Sequence, residues 1–250
     1  SLDGWVSIFD ADNGNNQEMI FDVQGSSLSG QGTAVSNLFT PRNAGLSGSG
    51  FGGNNKLKPL FINNMIDKFD NRYQNSIITQ YETATRQFNI NPWSTGYIPT
   101  NLETGNTLGT LWQVWTAKYI DTEATTEYTS RQNWHVIRLA DVYLMRAEAS
   151  AEILSDPSAA NTDINILRSR VEMNEIDYSA MSMTQFREEI LRERAVELYM
   201  EGHRFFDLTR FGVYDEYCRF VYGDTDGARQ AEDYTWPIPI IETSTNSEID

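Results

Sequence analysis

The stretch from Arg192 to Arg210 constrains this chain more than any other. It sets Arg192, Glu193, Arg194, Glu197, Glu201, His203, Arg204, Asp207 and Arg210 among Ala195, Val196, Leu198, Tyr199, Phe205, Phe206 and Leu208. On a helix, Arg194 and Glu197 are neighbours at a spacing of three, and Glu197 and Glu201 at a spacing of four. Charges interleaved so tightly with apolar side chains must be partly buried. Burial of charge is tolerated only where each group is paired and hydrogen-bonded. Two readings follow. One makes Glu201 and His203 an acid–base couple. The other, which the density of opposite charge favours, makes Arg194, Glu197, Glu201, His203, Arg204 and Asp207 a structural ion-pair lattice joining a helix end to the next turn.

The region around this stretch is helical by pattern. Asn133 to Leu154 contains no Gly or Pro, and Val136, Leu139, Ala140, Tyr143, Ala147 and Ala151 recur at three and four residues, which builds one apolar stripe. Asp156 and Pro157 suit the N-cap and first turn of a second helix, to about Met173. Ser182 with Gln185 is a capping box opening a third, Met183 to Met200, with Phe186, Ile190, Leu191 or Ala195, and Leu198 turned inward. Gly202 stands where a helix end wants a left-handed residue.

Residues 1–130 have a different texture, rich in Gly, Asn, Thr and Ser. Met19–Val23 and Leu111–Trp115 predict short strands between long loops. Ser47–Asn55 and Pro92–Gly105 read as loops, the latter carrying Trp93 and Tyr97. The expectation is a loop-rich region over 1–130 and a helical region over 131–250, forming one continuous domain of 250 residues.

Several chemistries find no support. Gly48 to Gly53 spells G-x-G-x-x-G, but lacks the strand before it and the helix after it that a dinucleotide site needs. The Asp10-x-Asp12-x-Gly14 and Asp224-x-Asp226-Gly227 patterns stop short of a calcium loop, and Asp with Gly is ordinary turn chemistry. One cysteine, Cys218, and two histidines allow no intrachain disulfide and no Cys/His metal site. A net charge of −16 repels phosphate backbones and anionic lipid, so nucleic acid is not an expected partner, whereas a neutral sugar feels no such penalty. No apolar run approaches the roughly 20 residues of a spanning helix. Ser1-Leu2-Asp3-Gly4-Trp5 reads as a start inside a protein, so an upstream region is expected.

The run Ile190 to Leu208 resembles the signature of the SusD/RagB family, roughly I-x-x-E-R-x-x-E-L-x-x-E-G-x-R-x-x-D-L. Ile137 to Ala149 is similar to the family's I-R-x-A-E/D-x-x-L-x-x-A-E helix, Asn165-x-x-Arg168-x-Arg170 to its N-x-x-R-x-R helix, and Trp236-Pro237-Ile238-Pro239 to its closing P-I-P. Asp70-x-Arg72-Tyr73 is similar to a D-x-R-F/Y element. The resemblance spans about Gln17 to Pro239. It implies a mainly α fold with few short strands (α+β), in which tetratricopeptide-like helix pairs pack on a loop-rich, strand-poor region. It also implies a carboxyl-terminal portion of a surface nutrient-binding lipoprotein of Bacteroidetes-type bacteria. Such a protein is lipid-anchored on the outer membrane, delivers oligosaccharides or polysaccharides to a SusC-like TonB-dependent transporter, needs no cofactor or metal, and is not an enzyme. Alternatives on the same scaffold are a peptide-binding protein or a carboxylate-pair glycosidase.

The shared motifs are structural in the family, so ligand residues must be sought by chemistry. Sugars present C–H faces that pack on Trp and Tyr, and hydroxyls that need amides or charged groups nearby. Trp93 and Tyr97, with Asn89, Asn91 and Asn101 beside them, are the first candidates. Arg72 with Tyr73, and Trp5, are the others. Trp112, Trp115 and Trp134 read as core.

Overall fold

The computed structural model describes residues 2–28, 30–47, 53–57, 61–62, 65–84, 86–89, 100–101, 114–126, 128–222 and 238–246. The chain divides into two compact units, Ser1–Arg204 and Phe205–Asp250. The division does not follow the change in texture near residue 130, because strand pairing ties the two sides of that position together.

Helix α1 (Leu2–Ser7) is followed by a 3₁₀ turn at Ala11–Asn13, capped by the Asp10 carboxylate, which accepts from the Asp12 amide. Strand β1 (Met19–Val23) pairs antiparallel with β7 (Trp134–Arg138), bringing Met19 opposite Arg138, Phe21 opposite Ile137 and Asp22 opposite His135. Between them lie α2 (Val35–Phe39), α3 (Asn71–Gln74) and five short strands. Strand β2 (Ile77–Ile78) pairs with β6 (Trp115–Thr116), and β3 (Gln80–Thr83), β4 (Arg86–Asn89) and β5 (Thr100–Asn101) form a separate three-stranded sheet. Val114 bridges to Leu57, and the expected strand residues Leu111, Trp112 and Gln113 lie outside the described residues.

The expected helix from Asn133 begins later. Trp134-His135-Val136-Ile137-Arg138 is β7, and α4 runs from Leu139 to Leu154. The first five residues are aromatic and β-branched enough to prefer a pleated neighbour, and β1 supplies one. Arg138 is both the last strand residue and the helix N-cap, with extended φ −129° and ψ 161°. Ala140, Leu144, Ala147 and Ala151 form the buried stripe, while Leu139 is exposed. Ser155, left-handed at φ 52°, ends α4.

Asp156 caps a 3₁₀ turn (Pro157–Ala160) rather than an α-helix, and α5 follows at Asn161–Arg170. Helix α6 (Met183–Glu197) opens with the reciprocal Ser182/Gln185 capping box. It ends three residues before the expected Met200. Gly202 has the left-handed φ of 90° but sits beyond the helix end, in the turn that follows. Helices α5 and α6 each pack on α4, and α1 packs on α3 and α5. Trp5, Ile8, Phe9 and Val171 form a buried cluster with Met19 and Met173 against it. Beside it, Tyr119 stacks on Trp134 at 5.7 Å and Phe39 meets Tyr119 at 4.7 Å.

The second unit contains the rest of α7 (Arg204–Arg210), then α8 (Tyr214–Tyr222) and α9 (Ile240–Thr245). Phe205 meets Tyr214 edge-on at 5.2 Å across the turn at Gly212.

Candidate functional site

The carboxylates of Glu193 and Glu197 share one face of α6, four residues apart, and Glu201 follows in the turn beyond it. All three are buried. Their cations come from distant segments. Asp70 caps α3 through the Arg72 amide and also grips the Arg72 guanidinium, at 3.0 Å from Nε and 2.8 Å from Nη2. The remaining arm, Nη1, reaches Glu193 at 2.6 Å and Glu197 at 3.0 Å.

Arg138, aimed inward from the β7–α4 junction, engages all three of its nitrogens. Nε donates to Glu201 at 2.7 Å, Nη1 to Glu18 at 2.6 Å and Glu197 at 2.8 Å, and Nη2 to the Glu197 carbonyl at 2.8 Å and Glu201 at 3.0 Å. Arg170 donates to Glu18 and Glu197, each at 2.5 Å, and Arg168 pairs with Glu193 at 3.2 Å. Lys118 donates to Glu201 at 2.6 Å and to the carbonyls of Glu197 and Tyr199 at 3.0 and 3.1 Å. Lys118 and Arg138 thus fill carbonyls left unpaired at the end of α6, where cations also complement the helix dipole. The joined set holds Arg72, Lys118, Arg138, Arg168 and Arg170 against Glu18, Asp70, Glu193, Glu197 and Glu201, so its charges balance.

The electrostatics follow from burial and pairing. Burial pushes Glu197 upward, but Arg170, Arg138 and Arg72 together outweigh it and hold the carboxyl far below its usual range. Burial likewise opposes ionisation of Glu201, yet Arg138 and Lys118 draw it down to about 2. Burial dominates at Lys118 and lowers its ammonium to about 8 despite Glu201. The ammonium lies 3.9 Å from the Tyr199 ring centroid and 4.7 Å from that of Phe9, so aromatic faces replace part of its lost hydration. A carboxyl held near 2 has no proton to donate at neutral pH, and a general acid needs one. The cluster is built as a clamp joining β1, α3, β7, α5 and α6.

The expected lattice residues are distributed over this picture unevenly. Glu197 and Glu201 lie at its centre. Arg194 instead pairs with Asp141 of α4 at 2.9 Å, and Arg204 donates to the Leu191 carbonyl at 2.9 Å. His203 is half-buried and makes no ion pair with the described residues. Asp207 pairs with Arg210 at 3.0 Å within the second unit. The lattice is therefore a long-range assembly rather than a local one. An isolated helix end cannot neutralise three carboxylates with its own arginines, which point elsewhere. Sequence reasoning missed Glu18, Asp70, Arg72, Lys118, Arg138, Arg168 and Arg170 as partners. The available signal was that Arg138, Arg168 and Arg170 fall in family-like segments, and that Lys118 stands between Trp115 and Tyr119.

Three proposed ligand contacts need correction. Trp5, Arg72 and Tyr73 are each 0% exposed, so none presents a surface to a ligand. Trp5 donates to the Arg72 carbonyl and to Ser76, and packs 5.1 Å from the Arg170 guanidinium. Burial pushes the Tyr73 phenol well up, and its ring meets Tyr199 at 5.5 Å. Asn101 lies in β5 opposite Arg86. Trp93, Tyr97 and Asn91 lie outside the described residues, as do Trp112 and the Gly48–Gly52 and Asp224–Gly227 patterns. Trp115 is buried and Trp134 half-buried.

Two open depressions mark the described surface. In the first, of about 740 Å³, Asn161 and Asn165 spend their amides holding Asp177, Tyr178 and Ile176. The second, of about 500 Å³, lies between Ala11–Asn15 and Gln24–Ser27, with Arg131 and Asn133. Among the described residues, no group of three or more His, Cys, Asp or Glu comes together to hold a metal ion, and no helix is long and apolar enough to cross a membrane.

The SusD family matches residues 17–250. A SusD-like protein of Formosa agariphila is 38% identical over 96 residues, covering 38% of this chain and 18% of that protein. The starch-binding protein SusD of Bacteroides thetaiotaomicron is 34% identical over 116 residues, covering 44% of this chain and 19% of that protein. Among solved structures, a SusD superfamily protein from Parabacteroides distasonis superposes with a TM-score of 0.71 at 22% identity, over 97% of this chain and 51% of that one. A laminarin-binding SusD-like protein gives 0.63 at 24% identity, over 96% and 50%. The chain thus spans about half the length of these structures, and its own described elements are mostly helices with few short strands. With nearly all of its length matched, this chain belongs to the SusD family.

Proposed function

We propose that this protein binds glycans at a bacterial cell surface and passes oligosaccharides to a SusC-like TonB-dependent transporter, with the whole protein lipid-anchored in the outer membrane. The observation that carries the reading is the family match over residues 17–250 to relatives named for starch and laminarin binding. A further relative of the same fold, a surface glycan-binding protein of Bacteroides thetaiotaomicron, is described in complex with laminarihexaose.

Binding rather than hydrolysis agrees with the chemistry of the cluster. Glu201 is locked by Lys118 and Arg138 and stands apart from any acid–base partnership with His203. The net charge of −16 favours a neutral ligand over a phosphorylated or sulfated one. The segment from Asn91 to Asn101, with Trp93 and Tyr97, supplies rings for C–H faces and amides for hydroxyls, and is the proposed primary contact.

The test is calorimetry with starch- and laminarin-derived oligosaccharides, run beside a reducing-end assay. Saturable heat without new reducing ends is expected. Turnover abolished by Glu201→Gln would defeat the binding-only reading, and binding of peptides but no glycan would replace the ligand class.

A further inference from the structure

We infer that the depression between Ala11–Asn15 and Gln24–Ser27 is a subsite for a short stretch of neutral saccharide, with Asn15 and Gln24 as its contact groups. The inference rests on the glycan-binding reading and adds a place and a charge preference to it.

The depression is about 500 Å³, within the range of small-ligand clefts, and its lining is dominated by amides and hydroxyls. Its floor is fixed by one buried side chain. The Asn133 carboxamide accepts from the Gly25 amide at 3.0 Å and donates to the Gly14 carbonyl at 3.1 Å and to Asp22 at 3.2 Å. It ties the two walls together. The walls approach so closely that a Cβ on Gly14 would lie 2.6 Å from Asn133 Nδ2, and one on Gly25 would lie 2.9 Å from the carbonyl oxygens of Ser130 and Gln132. Two loops held this tightly form a preorganised surface, which lowers the ordering cost of binding.

On the rim, Gln24 Nε2 donates to Asn15 Oδ1 at 2.8 Å. Both side chains are exposed. The bridge leaves Asn15 Nδ2 as donor and Gln24 Oε1 as acceptor, neither engaged by another described residue. A donor and an acceptor side by side match a pair of neighbouring sugar hydroxyls, each of which gives and takes a hydrogen bond. The other depression offers no such pair, because its two asparagines are consumed by their own loop.

Charge selects among saccharides. Arg131 closes one end, but it is clasped by Asp12 at 2.5 Å and by Asp121 and Glu123 at 3.1 Å. Asp12 and Glu123 are about 70% exposed, so the end wall is net negative. Sulfated or uronic chains are repelled and neutral ones are not.

The experiment is calorimetry of laminarihexaose, maltohexaose and a sulfated hexasaccharide against wild type, the Asn15→Ala/Gln24→Ala double variant, and Trp93→Ala. Because both rim residues are exposed, the double variant keeps its thermal midpoint, and the isosteric Asn15→Asp provides a second check. The expected result is at least a fivefold loss of affinity for the best neutral hexasaccharide in the double variant, and no measurable heat from the sulfated one. Unchanged affinity in the double variant overturns the subsite while leaving the broader reading standing. Equal binding of the sulfated chain overturns the charge argument. If wild type binds neither neutral hexasaccharide, subsite and broader reading fall together.

Discussion

Replacing Glu197 by Gln removes one charge from the centre of the clamp while keeping the volume of the side chain, so no cavity contributes to the outcome. Glu197 is fully buried and pairs with Arg72, Arg138 and Arg170. Arg72 retains Asp70 and Glu193, Arg138 retains Glu18 and Glu201, and Arg170 retains Glu18. No guanidinium is wholly stranded, but a balanced cluster acquires one uncompensated positive charge out of reach of water. Breaking a buried pair costs about 3–5 kcal/mol, a large share of the roughly 5–15 kcal/mol that holds a domain folded. At about 2–4 °C per kcal/mol for a unit of this size, the midpoint should fall by roughly 6–20 °C. Urea and thermal unfolding followed by near-ultraviolet circular dichroism measure it. Arg187→Ala is the internal control, since its pair with Glu152 at 2.6 Å is well exposed and should leave the midpoint where it is. A Glu197→Gln protein as stable as the control would refute the claim that this cluster bears on the fold.

Acid should find the same cluster. Glu201 titrates near 2 in the folded protein against 4.5 ordinarily, and Glu197 lies lower still. Depressed carboxyls contribute stability that is present above pH 4.5 and drains away as pH falls towards 2, about 3 kcal/mol of it from Glu201 alone. A urea midpoint that stays flat between pH 6 and pH 3 would contradict this. Gly32→Ala would place a Cβ 2.1 Å from the Tyr128 carbonyl oxygen. The backbone must shift, at a cost of about 1–3 kcal/mol, and an unaltered denaturation curve would show that the two segments part freely. Trp93→Ala should weaken glycan binding in calorimetry with the melting temperature unchanged, and intact affinity would remove that segment from the binding surface.

What the sequence revealed and what it concealed divide along chain distance. Of the clamp's carboxylates, Glu197 and Glu201 were legible because they stand at helical spacing among apolar residues. Their partners were not. Arg72 lies 125 residues from Glu197, and Lys118 lies 83 from Glu201. Nothing local in Trp115-Thr116-Ala117-Lys118-Tyr119 says which acid its lysine will meet. The capping box at Ser182 and Gln185 was readable, since both of its bonds close within four residues. The β7–α4 junction was misread for the opposite reason. Val136 continues the three-and-four spacing of the helix that follows, and only the pairing with Met19–Val23, more than a hundred residues earlier, makes it a strand. Trp5, Arg72 and Tyr73 have the composition of a sugar site, but composition does not distinguish a ring that faces a ligand from one that faces a buried guanidinium. Asn15 and Gln24 were silent in sequence because their significance lies in an amide bridge across two loops.

The central claim is that a buried charge clamp sets the scaffold while recognition belongs to the outer surface. Titrating laminarihexaose or maltohexaose into wild type and Glu197→Gln at a temperature well below both unfolding transitions tests it most directly. Dissociation constants agreeing within about twofold, alongside the lowered midpoint of the variant, are the predicted result. A folded Glu197→Gln protein that no longer takes up the sugar would contradict it.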